Sequence, residues 1–114
     1  MVANQEYVAP ILRRFTEEAC RQWRVARIYL YGSYSGGNPN EWSDIDIAVV
    51  SPDFTNRTAA NVELVHLATD VSSSIEPKAF RPEDFDEATP ADFCYEIKRT
   101  GTVIYDAERG GFTI

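Results

Sequence analysis

The stretch Tyr31–Val50, "YGSYSGGNPNEWSDIDIAVV", decides how the rest of the chain is read. It sets a Gly-Ser pair, a run of turn-forming residues and an Asp-Ile-Asp at the mouth of the most apolar segment. Side chains alternate along a strand, so Asp44 and Asp46 share one face while Ile45 and Ile47 share the other. A strand rise of roughly 3.3 Å per residue puts the two carboxylates about 6.5–7 Å apart along one edge. Charges held this way repel unless a cation lies between them. Hard oxygen donors at that spacing suit Mg²⁺, which completes its shell with waters and substrate phosphates. Just upstream, Gly32 permits close backbone approach and Ser33 adds a hydroxyl, and exposed N–H groups in such a turn form a nest for an anion. Either half alone is ordinary, a turn or the polar side of a strand. Together, in the order strand, loop, strand, they make a site for a nucleoside triphosphate.

Working outward, "VARIYLYG" is alternating and β-branched, a first strand stopped by Gly32. "SYSGGNPNEWS" is loop material, and its Tyr34 and Trp42 are candidates for stacking on a base. "DIDIAVV" is the second strand, ended by Pro52. Before them, apolar residues at 8, 11, 12, 15 and 19 trace one helix face, with Pro10 expected in the first turn. After them, a second helix is expected from about Arg57 to Thr69 with Val62, Val65 and Ala68 turned inward. "SSSIEPKAF" reads as a third strand that leaves its sheet around Pro77, and "RPEDFDEA" as one helical turn. The last helix is expected to start with Thr89 as cap, Pro90 at the first position and Asp92 in the first turn, and to stop at Gly101. "TVIYD" adds a short strand, and "AERGGFTI" reads as a loose tail. The order predicts an α/β (α+β) fold, a small mixed β-sheet backed by helices on one side, in a single domain spanning residues 1–114.

Composition narrows the function. Over 114 residues the chain is 44% hydrophobic and 25% charged, in the range of a folded globular domain. A net charge of −7 argues against a broad phosphate-binding surface, so no direct DNA or RNA binding is expected. It does not forbid a small polyanion met by a metal ion or backbone N–H groups. No apolar run approaches a membrane span, and the N-terminus lacks the apolar core of a signal peptide, so a cytoplasmic location is expected. Cys20 and Cys94 lack metal-ligand spacing and are expected to be two buried thiols; one His and two Cys cannot build a zinc cluster. His66 falls off the inner helix face and receives no role.

"GSYSGGNPNEWSDID" resembles the Gly-Ser, ten-residue spacer, Asp-x-Asp signature of the DNA polymerase β-like nucleotidyltransferases, and the small size resembles their minimal nucleotidyltransferase (MNT) branch. The resemblance implies a nucleotidyltransferase fold and two Mg²⁺ ions held by three carboxylates, with Gly32 and Ser33 gripping the triphosphate of ATP. Asp44 and Asp46 take the first two places. Glu76, on the third strand, is the choice for the third and for accepting the proton of an acceptor hydroxyl; it stands where many relatives carry Asp. Asp70 is the fallback, and Lys78 shares the strand face of Glu76. Minimal nucleotidyltransferases resemble antitoxins that attach AMP to a tyrosine of a helical HEPN toxin, so such a toxin is the expected partner, in a homo- or hetero-oligomer. A homodimeric small-molecule nucleotidyltransferase and a catalytically silent partner-binding module are the alternatives.

Overall fold

The computed structural model describes residues 5–32 and 45–113. Helix α1 (Gln5–Gln22) leads into β1 (Arg27–Tyr31); β2 (Ile45–Val50) follows, then α2 (Arg57–Val71) and β3 (Ile75–Phe80). Two short helices, α3 (Pro82–Asp86) and α4 (Phe93–Thr100), precede β4 (Thr102–Asp106), a 3₁₀ turn (Ala107–Arg109) and β5 (Gly111–Phe112). The strands form the expected mixed sheet in the order β3-β2-β1-β4-β5. Only β2 and β3 run parallel, because α2 carries the chain back over the sheet between them. Among the described residues, no helix is long and apolar enough to cross a membrane.

The main core lies on one face of the sheet. Leu12, Phe15 and Ala19 of α1 and Ala60, Leu64, Leu67 and Ala68 of α2 close over Ile28, Leu30, Ile45, Ile47, Val49 and Ile75. Alternation sends the intervening residues through the sheet. There Tyr29, Tyr31, Ala48, Val50 and Phe80 meet Phe85 of α3 and Cys94 and Ile97 of α4. The two long helices therefore back one side, as expected, and two short helices add a partial cover on the other.

Several local expectations change. Helix α1 begins at Gln5, so Pro10 lies beyond the first turn and forgoes one intrahelical hydrogen bond. In α2, Val62 and Val65 are exposed, and the inward face is Ala60, Leu64, Leu67 and Ala68. Apolar and polar residues are interspersed around α2, so its sequence gives little directional signal and packing on the sheet selects the leucines. Strand β3 does not leave the sheet at Pro77. It is the edge strand, and the N–H of Ala79, pointing the same way as the one Pro77 lacks, donates to Asn61 Oδ1 of α2 at 2.8 Å. A proline facing outward from an edge costs no ladder bond.

Helix α4 begins at Phe93, with Asp92 rather than Thr89 at the cap position; Asp92 Oδ2 instead accepts from the N–H of Thr89 at 2.8 Å, closing a turn that holds Pro90 outside the helix. The expected tail is ordered: Gly111 and Phe112 pair with Asp106 and Tyr105, and the Arg13 guanidinium lies 4.4 Å from the Phe112 ring centre. Cys94 is buried, but Cys20 is exposed on α1.

Candidate functional site

The antiparallel register of β1 and β2 ends with Tyr31 opposite Asp46, and the parallel register of β2 and β3 sets Asp46 opposite Glu76. Neighbouring strands lie about 4.8 Å apart, so Tyr31, Asp46 and Glu76 form one transverse row on the face opposite the main core. The hydrophobic alternation fixes this arrangement. Ile45, Ile47 and Ile75 are driven into the core, and the residues between them must project the other way.

Gly32 closes the row. It leaves β1 with φ +76°, in the left-handed region, and a Cβ placed there would lie 2.5 Å from Asp46 Oδ2. The carboxylate of Asp46 therefore rests against bare glycine backbone, which only glycine allows.

Tyr31 is buried, and its hydroxyl has no hydrogen-bond partner among the described residues. Burial, then the nearby charges of Asp46 and Glu76, push its pKa up to about 12. The phenol thus stays protonated, an unused donor beside two carboxylates. Its ring packs edge-on against Phe93 at 5.7 Å between centres, although Phe93 itself is 53% exposed.

Of the five expected site residues, Gly32, Asp46 and Glu76 come together. Ser33 and Asp44 lie outside the described residues, as do Tyr34 and Trp42. Among the described residues, no three carboxylate, imidazole or thiol groups converge on one point, so the row supplies two carboxylates. Two hard oxygen donors in register suit a divalent cation carrying phosphate oxygens. Asp70 is exposed near the end of α2, whose inner side packs on the opposite face of the sheet, so it does not join the row. Lys78 is exposed two residues along the strand from Glu76, and His66 is exposed on α2.

Tyr31 and Phe93 were not singled out from the sequence. Tyr31 shares the parity of Tyr29 against Ile28 and Leu30, but placing it beside Asp46 requires the strand register. Phe93 reads only as an apolar helical residue until α4 is seen to cover Tyr31.

A family model for the nucleotidyltransferase domain matches residues 12–108. Among solved structures, a candidate nucleotidyltransferase from Sulfolobus solfataricus aligns with 96% of this chain and 89% of its own, at 17% identity and a TM-score of 0.68, a likeness of fold. A toxin-antitoxin structure with AMP-PNP aligns over 94% of this chain and 77% of its own, at 26% identity and a TM-score of 0.58. A mutant of the toxin-antitoxin MntA-HpeT aligns over 94% and 76%, at 26% identity and 0.56. No curated protein matches the sequence.

Proposed function

The chain belongs to the nucleotidyltransferase domain family and is a nucleotidyltransferase; from that premise we propose that it transfers AMP from ATP to a hydroxyl of a partner toxin, as the antitoxin of a toxin-antitoxin pair. The observation that carries the chemistry is the contact between Asp46 and the bare backbone of Gly32, with Glu76 in register beside it. The likeness to a toxin-antitoxin structure with AMP-PNP supports the choice of nucleotide and of partner. The finer reading takes a helical HEPN protein as the toxin and one of its tyrosines as the acceptor.

In this reading Asp44, Asp46 and Glu76 hold two Mg²⁺ ions. Divalent cations, when bound, neutralise phosphate charge and ease loss of the acceptor proton. Gly32 and Ser33 hold the triphosphate through backbone N–H groups and the serine hydroxyl. The acceptor oxygen forms its bond to the α-phosphorus while the bond to the bridging oxygen breaks, and pyrophosphate leaves with that electron pair. Glu76 takes the acceptor's proton. Tyr31 keeps its own and stays neutral beside the carboxylates.

The test uses ATP labelled at the α-phosphate, Mg²⁺ and the protein encoded beside this one. Label is expected on that protein, and Asp46→Asn is expected to lower transfer by at least about 100-fold, the scale of removing a group that stabilises transition-state charge. Label on a metabolite with none on protein selects a small-molecule acceptor. Neutralisation of the toxin that survives substitution of both Asp44 and Asp46 by Asn overturns the catalytic reading in favour of masking by contact.

A further inference from the structure

Beyond the carboxylate row, the same face of the sheet carries an open groove of about 500 Å³ between β3 and the two short helices. It adjoins the row on two sides. Lys78 lies in its floor two residues along β3 from Glu76, and Phe93 in its wall packs on Tyr31. Phe93 is the most exposed large apolar side chain among the described residues.

The charge of the groove is lopsided. Glu83, Asp84, Glu87 and Asp92 line it against Arg57 and Lys78. Arg57 Nε donates to the Ala79 carbonyl at 3.2 Å and its guanidinium lies 5.0 Å from the Phe80 ring centre, neutral partners that leave its charge in place. Glu83 pairs with Arg81 at 3.6 Å, so the negative excess rests on Asp84, Glu87 and Asp92. The thiol of Cys94 is pushed up by burial first, with smaller contributions from Asp84 and Asp92 that Arg57 opposes. With more carboxylates than cations in its lining the groove disfavours a triphosphate, and a chain of net charge −7 repels its own copy.

We propose that this groove docks a cationic segment of the partner protein, with Phe93 as its apolar anchor, and so brings the acceptor hydroxyl to Asp46 and Glu76. The inference rests on the proposed transfer reaction, which supplies the need for a protein acceptor. A rim of carboxylates around an exposed aromatic gives both steering and a burial site. Specificity would then follow from charge around the acceptor as well as from the acceptor residue itself.

Two fluorescein-labelled peptides test it by anisotropy, one with Arg and Lys flanking a Tyr and one with Glu in their place. The basic peptide is expected to bind, more weakly as salt rises, and the acidic one not to bind. Glu83→Gln with Glu87→Gln is expected to weaken the basic peptide roughly two- to tenfold. Phe93→Ala is expected to weaken it by at least about fivefold. ATP affinity is expected to stay constant in the Glu83→Gln, Glu87→Gln variant. Equal binding of the two peptides, no binding of either, or variants that bind like the parent overturns the proposal. So does loss of ATP affinity in the Glu83→Gln, Glu87→Gln variant, since the groove would then serve the nucleotide. Peptide binding as expected with no nucleotidyl transfer to any acceptor leaves the groove standing and overturns the reaction instead.

Discussion

The two faces of the sheet are built from the same strands to opposite ends. On one, α1 and α2 seal Ile28, Leu30, Ile45, Ile47, Val49 and Ile75 from solvent. On the other, α3 and α4 cover only part of the sheet, and its open end carries Asp46 and Glu76. The residues that pack and those with polar chemistry are neighbours in sequence, separated by one alternation of the strand. The dry face positions the wet one. Ile45 and Ile47 flank Asp46, and both are completely buried, so the carboxylate inherits the rigidity of a close-packed core.

The sharpest way to break this contrast is Ile47→Ala. Ile47 is fully buried in the central part of the sheet, so truncation is expected to cost about 2–5 kcal/mol, read from urea unfolding. Transfer activity per folded molecule is expected to fall as well, although Ile47 faces away from the site. A loss of stability with full activity in the folded fraction would separate the two faces and remove the claim that one positions the other.

How much of this was legible in the sequence follows the same division. Strand alternation and the Gly-Ser to Asp-x-Asp spacing were enough to expect the sheet and to set Gly32 near Asp46, while Glu76 was expected beside them only from the family resemblance. Both signals are local, and alternation fixes a face without knowledge of the partner strand. What was not legible depends on pairing and context. The inner side of α2 was misassigned to Val62 and Val65 because apolar and polar residues are interspersed around that helix, and only packing selects among them. Pro77 read as an exit from the sheet because edge position is a property of the whole topology. The cap was given to Thr89 because its spacing to Asp92 fits a helix start, whereas Asp92 turns its side chain back on Thr89. Tyr31 remained invisible because its significance lies in a register, opposite Asp46, that no run of residues encodes.

Gly32→Ala probes the seam between the faces. At φ +76° a side chain costs about 1–2 kcal/mol, and the new Cβ would stand 2.5 Å from Asp46 Oδ2. The backbone is held by β1, so the carboxylate must yield. A lower melting temperature is expected together with a loss of transfer that exceeds the loss of folded protein. An unchanged rate in the folded variant would mean that the position of Asp46 against Gly32 is immaterial to the chemistry.

The smallest effect belongs to Tyr31→Phe, and its sign is the informative part. The substitution removes a buried hydroxyl that has no hydrogen-bond partner among the described residues, so a gain of about 1 kcal/mol is expected in place of the usual loss. The pH dependence sharpens the point. An unfolded tyrosine ionises near its ordinary value of 10.0, whereas folding holds Tyr31 protonated up to about 12. The folded state binds the proton more tightly, so the stability tied to it is complete below the unfolded value and drains away as pH rises from 10 toward 12. Phenylalanine has no proton to lose, so urea midpoints of the variant are expected to fall less steeply over that interval. Tyr105, also held up to about 12 by a hydrogen bond with Cys20 and by burial, and the buried Cys94 thiol contribute to the alkaline loss that remains. A variant as steep as the parent would mean that Tyr31 ionises equally well folded and unfolded. The row of Tyr31, Asp46 and Glu76 would then be wet at its β1 end, and the contrast between a sealed face and a partly sealed one would become a contrast between sealed and open.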